Sequence, residues 1–198
     1  MNIILTPAVS SFYLSHRNPN PSLDELTYLT GIVDGIHAAL TDSIKDTPFI
    51  TITKFAAPID KSIPKIDTLS RNTPPSSKLL IAVGLNASID DGHYHTSRGW
   101  SVCNNSVSKQ SDIIALSLAT AALQTLGSMA ASPQDQFPSQ RYLNLSAILA
   151  ELKIPAALTL NLYQDNVRDA AYILSSTGRQ AIIDLHIKGI LEYLALSS

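Results

Sequence analysis

Short runs of β-branched and leucine residues alternate along this chain with longer stretches whose apolar positions recur every three or four residues. Asn2–Thr6, Phe49–Phe55, Leu79–Leu85, Gly99–Cys103 and Ala156–Leu162 read as strands; the second alternates Ile with Thr, and the last is almost wholly apolar, as a strand covered on both faces should be. Leu26, Leu29, Val33, Ile36 and Leu40 share one helical face, Ile113–Gly127 makes a second helical pattern, and Ile182, Leu185, Ile190 and Leu194 make a third. This order predicts a three-layer α/β/α domain with a mixed, mostly parallel twisted sheet of about five to six strands. Ala57–Ser77 and Ala130–Tyr142, rich in Pro, Ser, Asp and Asn, read as surface connections, so residues 1–198 are expected to form one domain.

The longest uncharged stretch, Ile113–Ser132, has the length of a membrane span. Its polar residues Ser117, Thr120, Gln124 and Ser128 recur at helical spacing, which predicts an amphipathic packing helix and no span. Composition narrows the classes further. Of 198 residues, 45% are hydrophobic and 15% charged, against about 25% charged in ordinary soluble domains. With a mean hydropathy of +0.12, the chain has enough to bury that it should fold. A net charge of −2, a pI near 6.2 and no run of Lys or Arg argue against nucleic acid or anionic membrane as partners. The single cysteine, Cys103, permits no internal disulfide and no multi-cysteine zinc site. MNIILTPAVSS has no basic residue ahead of a short apolar run that Pro7 interrupts, so no secretory signal is read and a cytoplasmic location is expected.

Residues 155–194, PAALTLNLYQDN followed by DAAYIL and GRQAIIDLHIKGILEYL, resemble the carboxy-terminal signature of the zinc-dependent N-acetylmuramoyl-L-alanine amidases. In that family a Pro-initiated strand ends in a Glu followed by an aromatic and an Asn, and a helix pair closes the domain. AVGLNAS at 82–88 is similar to the family's Ser-x-His-x-Asn-Ala strand, and RGWSVC at 98–103 to the strand after it. IILTPAV at 3–9 and LDELTYL at 23–29 resemble the first strand and first helix. The resemblance covers nearly the whole chain and implies an amidase-like fold of the phosphorylase/hydrolase-like kind. It also implies a lost site. The family's zinc histidines fall on Val9 and Gly84, its catalytic Glu falls on Leu160, and only the zinc-ligand Glu keeps its type, as Glu25.

A hydrolytic zinc site needs about three protein ligands and an open position for water. Val and Gly offer no donor, and Leu removes the base that would take the water's proton, a role worth roughly 10²–10⁴ in rate. No metal cofactor and no catalytic residue are therefore expected, and apolar Val9 and Leu160 suggest a site plugged with hydrocarbon. Such a protein would act by binding a protein partner or a peptidoglycan fragment, or as a scaffold. Glu25, Asn86, Trp100 and Asn161 are the candidates for a residual cleft. The alternative is an active zinc amidase cleaving the muramoyl-L-alanine amide through a rearranged site of Glu25, His16 and one of His93 or His95.

Bland readings compete with each candidate. Ser22-Leu-Asp-Glu25 has the form of a capping box, in which Ser22 caps a helix and Glu25 reaches back to it. His93-Tyr94-His95 follows Asp90-Asp91-Gly92 and reads as a solvated turn, although alternate residues of an extended segment point the same way. His37 and His186 read as helix-face residues without chemistry, Trp100 as core packing. Asn86 and Asn161 read as strand-end residues satisfying nearby backbone. Asn166, with Asp169 three residues later, reads as a helix start. No Gly-x-Ser-x-Gly elbow, Gly-rich phosphate loop or His-Glu-x-x-His helix is present.

Overall fold

The structure is a computed structural model describing residues 1–13, 18–70, 74–130 and 140–197. In chain order the elements are β1 (Asn2–Pro7), α1 (Glu25–Ser43), β2 (Thr51–Lys54), α2 (Ile59–Ser70), β3 (Lys78–Asn86), β4 (Trp100–Asn104), α3 (Lys109–Leu126), α4 (Gln140–Ala150), β5 (Ala156–Tyr163), α5 (Val167–Leu174) and α6 (Ser176–Leu196). The five strands form one sheet in the order β2-β1-β3-β5-β4. Four run parallel, and β4 pairs antiparallel with β5 at the edge.

The two-residue period of the strands divides the apolar residues between two cores. Ile3, Leu5, Leu79, Ile81, Val83 and Leu85 face one way and pack with Leu29, Ile32 and Ile36 of α1, Leu118 and Ala122 of α3, and Leu185 and Ile190 of α6. Ile4, Leu80, Ala82, Leu158 and Leu160 face the other way, against Ile59 and Ile66 of α2 and Leu145 and Leu149 of α4. Three layers result, with the central strands covered on both faces, as a parallel sheet requires.

Several elements differ from the sequence expectations. The second strand shortens to Thr51–Lys54, because it lies at the sheet edge where only β1 pairs with it, and Phe49 is left outside and exposed. Ala57–Ser77 is not a plain connection: it contains α2, whose polar composition and internal Pro64 hide a helix anchored by Ile59 and Ile66. Within Ala130–Tyr142 only residue 130 and residues 140–142 are described, and the last three open α4, which the sequence reading missed. α3 is a packing helix, but its polar stripe does not mark its outer face. Ser117 is buried, while Leu116 and Leu123 point outward. By length and composition Lys109–Met129 would pass as a membrane span; here Ile114, Leu118, Ala121 and Ala122 are buried in the core shared with α1 and α6.

α3 and α6 approach closely because Gly189 has no side chain. A Cβ there would lie 2.9 Å from the Leu118 Cα and 3.2 Å from its backbone nitrogen. Since the obstruction is backbone, Gly189→Ala should destabilise the protein by about 1–3 kcal/mol in urea unfolding. An unchanged midpoint would mean that the helix pair can separate without cost.

Candidate functional site

The loops at the carboxyl ends of β1, β3 and β5 and the start of α1 surround a cleft of about 400 Å³. Its position outside the strand ends of an α/β sheet is where such folds place ligands. Its walls include Tyr13 after β1, Ile89 and Asp90 after β3, Gln164 and Asp165 after β5, Asp24 and Glu25 at the head of α1, and Arg141 in the first turn of α4.

Arg141 organises this cleft. Only 2% of its side chain is exposed, and its Nη1 donates to Glu25 Oε1 at 2.5 Å while Nη2 donates to Asp90 Oδ1 at 2.6 Å. Its guanidinium carbon lies 4.4 Å from the Tyr13 ring centroid, a cation–π contact, and the Tyr13 hydroxyl accepts from Asn144 Nδ2 at 2.7 Å. Burial works against the charge, but the two carboxylates outweigh it and hold the guanidinium above its ordinary pKa. Gln164 Nε2 donates to the other Glu25 oxygen at 3.2 Å, and Gln164 Oε1 accepts from Asn18 Nδ2 at 2.6 Å. Both oxygens of Glu25 are thus occupied.

Asp165 is 1% exposed. Its Oδ2 accepts from the backbone N–H of Ser88 at 2.7 Å and of Ile89 at 3.3 Å, while Oδ1 is buried without a hydrogen-bond partner. Burial pushes its pKa up, against the pull of the Ser88 and Ile89 amides and of the Ser88 hydroxyl. The loop reaches this position through Leu162, whose φ of 68° lies in the left-handed region; full burial of the leucine side chain holds that conformation against its steric cost.

The residues singled out in the sequence are dispersed. Glu25 lines the cleft, but it is the first residue of α1, not part of a capping box: Asp24 caps the helix through Thr27 N at 2.7 Å, and Ser22 Oγ turns to Asn20 instead. Val9 is fully buried in the core formed with α1, α3 and α6. Leu160 lies on the other face of the sheet, beside Gly84, where a Cβ would stand 3.1 Å from Leu160 Cδ2 and 3.0 Å from the Ala8 carbonyl oxygen. A single hydrocarbon plug is therefore not what forms. Val9 and Leu160 join two separate cores because the sheet lies between them, and the cleft that remains has charged and apolar walls alike.

Asn86, Trp100 and Asn161 are buried and stand outside the cleft walls. Trp100 Nε1 donates to Asn161 Oδ1 at 2.8 Å, and Asn161 Nδ2 donates to Gly84 O at 3.0 Å and Thr159 Oγ1 at 3.1 Å. The Thr159 hydroxyl lies 2.8 Å from His186 Nε2, and His186 Nδ1 lies 2.7 Å from Ile182 O. A carbonyl only accepts, so Nδ1 carries the proton and Nε2 accepts from Thr159. His186 is wholly buried in this chain of bonds rather than on an open helix face, and burial lowers its pKa to about 4. Asn86 Oδ1 accepts from Ala87 N, and Asn166 caps α5 as its spacing suggested, accepting from the Arg168 and Asp169 amides.

His93 is exposed, and its backbone N–H donates to Asp91. His95 Nε2 lies 3.0 Å from Asp91 Oδ1, and its backbone N–H donates to Asp165 O. His16 lies outside the described residues. Among the described residues no group of three His, Cys, Asp or Glu side chains is placed to hold a metal ion. Val9 lies in the core, Gly84 has no side chain and both Glu25 oxygens are engaged, so the positions that the sequence resemblance matches to zinc ligands offer no free donor.

Sequence reasoning missed Arg141, Asp90, Tyr13, Gln164 and Asp165. One signal was present: Arg141 is the only basic residue between Lys109 and Lys153, and it opens an apolar helix.

No family model and no curated protein sequence matches the chain. Solved structures do. The N-acetylmuramoyl-L-alanine amidase from Clostridium difficile 630 superposes with a TM-score of 0.72 at 14% identity, covering 100% of this chain and 98% of that one. The fold is that of the N-acetylmuramoyl-L-alanine amidases. The amidase Ami1 from Mycobacterium smegmatis gives a TM-score of 0.67 at 16% identity over 99% of this chain and 97% of its own. The CwlD amidase from Clostridioides difficile, in complex with the GerS lipoprotein, gives 0.66 at 12% identity over 98% of each chain. The resemblance read in the sequence thus holds for the amidase fold.

Two outcomes follow for this amidase-fold protein. Arg141→Met leaves the buried Glu25 carboxylate and its neighbour Asp90 without their counter-ion, and should cost about 3–5 kcal/mol in equilibrium unfolding; a loss under about 1 kcal/mol would show that water replaces the guanidinium. For His186, the native state resists protonation below its unfolded pKa of 6.5, so its contribution is whole above that pH and is lost as pH falls toward about 4. At about 1.4 kcal/mol per unit this amounts to about 3 kcal/mol. Stability of His186→Gln, measured from pH 7 to 4, should fall by correspondingly less than that of the unmutated protein.

Proposed function

We propose that this protein is a non-hydrolytic user of the amidase fold that works by binding at the cleft, without a metal cofactor. The observation that carries the reading is the buried Arg141 lying between Glu25 and Asp90. The one carboxylate that matches a family zinc ligand is neutralised by an internal cation, and a divalent ion entering there would meet a guanidinium at hydrogen-bond distance from its ligand. Coulomb repulsion in a poorly solvated site and the absence of imidazoles at 9 and 84 both oppose metal uptake. Leu160, packed against Ala8 and Gly84, leaves no carboxylate to activate water at the family's catalytic position.

Binding remains available chemistry, since the cleft keeps polar groups that a filled core would lack. The occupant belongs to one of two classes, a fragment of peptidoglycan or a segment of a protein; the relative captured with a lipoprotein makes the second a natural candidate.

Protein purified without chelator should contain less than about 0.1 equivalents of zinc by elemental analysis and should leave the muramoyl-L-alanine amide of peptidoglycan intact. Val9→His, Gly84→His and Leu160→Glu together should still fail to take up zinc while Arg141 is present. Stoichiometric zinc with amide cleavage in the unmutated protein would instead establish an active amidase using ligands outside the family positions.

A further inference from the structure

We propose that the cleft binds an organic cation through a primary ammonium group, with Asp165 as the residue that accepts from it. This rests on the binding role proposed above and names its ligand class. Two independent observations support it.

The first is charge. Among the described residues, four carboxylates line the cleft, those of Asp24, Glu25, Asp90 and Asp165, against the single guanidinium of Arg141. Arg141 directs one N–H of each terminal nitrogen at Glu25 and Asp90, and although its Nε–H is buried without a partner, its single positive charge is outnumbered by the carboxylates around it. Asp90 uses one carboxylate oxygen on Arg141 and keeps 19% of its side chain exposed. The field in the cleft therefore favours cations.

The second is an acceptor without a donor. Asp165 Oδ1 is buried in the cleft wall with no hydrogen-bond partner, while its sister oxygen is fixed by two backbone amides. A buried carboxylate oxygen left unpaired is costly, and a ligand N–H would relieve that cost. Burial also raises the Asp165 pKa, outweighing the Ser88 and Ile89 amides and the Ser88 hydroxyl that pull it down. An ammonium group offers three donors in a compact volume and suits a single unpaired oxygen. A metal ion suits it less, because no second and third ligand stand beside it among the described residues. The carbon of the ligand has a place too: Pro19, Pro21, Leu23 and Ile89 give the cleft apolar wall, and about 400 Å³ is within the range of small-molecule sites.

An ammonium of this kind occurs at a peptide amino terminus and on a lysine-like side chain, and the two are separable. The full chain is titrated with Nα-acetyl-L-lysine amide, with L-alaninamide and with the neutral Nα,Nε-diacetyl-L-lysine amide, following backbone amide resonances by NMR. At least one of the two amines should shift the Ser88 and Ile89 resonances saturably while the neutral compound does not, and the amine that binds identifies the side-chain or terminal source. Asp165→Asn, which keeps an oxygen for the Ser88 and Ile89 amides, should weaken that binding about tenfold or more. Equal responses to charged and neutral probes, no response to any probe at about 10 mM, or undiminished binding by folded Asp165→Asn would overturn the proposal. If that variant does not fold, the charged-versus-neutral comparison on the unmutated protein still decides. A metal-free, non-hydrolytic protein that ignores amines overturns this proposal alone, whereas a zinc-loaded hydrolase overturns the reading beneath it.

Discussion

A guanidinium removed from water between two carboxylates is the constraint around which the cleft is arranged. Arg141 lies in the first turn of α4, Glu25 at the head of α1 and Asp90 after β3, so one side chain ties together three segments far apart in sequence. Removing any one charge would strand the others in a poorly solvated place, and that mutual dependence fixes the loops more firmly than exposed ion pairs would. Tyr13 stacks on the cation and Gln164 takes up the remaining oxygen of Glu25, which brings the ends of β1 and β5 into the same arrangement.

β5 links this polar end to the interior. Alternate residues of the strand serve different layers: Leu158 and Leu160 face the core under α2 and α4, while Thr159 and Asn161 enter the hydrogen-bonded chain from Trp100 to His186. The strand then turns through Leu162, and Gln164 and Asp165 arrive at the cleft. A single strand therefore carries apolar packing, a buried polar network and two cleft residues in succession. The chain of bonds from Trp100 to His186 is fully paired, whereas Asp165 at the cleft keeps one oxygen unpaired.

Legibility from sequence followed burial. Strands β1, β3 and β5 and helices α1, α3 and α6 announced themselves because long apolar runs at period two or 3.6 have few alternatives. α2 escaped because half its surface is solvated and Pro64 interrupts the pattern, and α4 because it lies beside a Pro- and Ser-rich segment. Glu25 shows the limit for single residues. Ser22-Leu-Asp-Glu25 has a capping-box spelling, yet Asp24 takes the cap, since a carboxylate two residues from Ser22 competes for the same amides and leaves Glu25 free to meet Arg141.

What the sequence determined by itself is the architecture and the chemistry of single side chains: hydrophobic periodicity is local, and Val9, Gly84 and Leu160 cannot supply a ligand or a base wherever they fold. What only the tertiary structure decided is the character of the cleft. Whether those positions gather into one dry plug or divide between two cores depends on which side of the sheet each faces, and whether Glu25 is free depends on a guanidinium 116 residues away. Electrostatic pairing acts through space, over a few ångströms, between residues that a one-dimensional pattern does not connect.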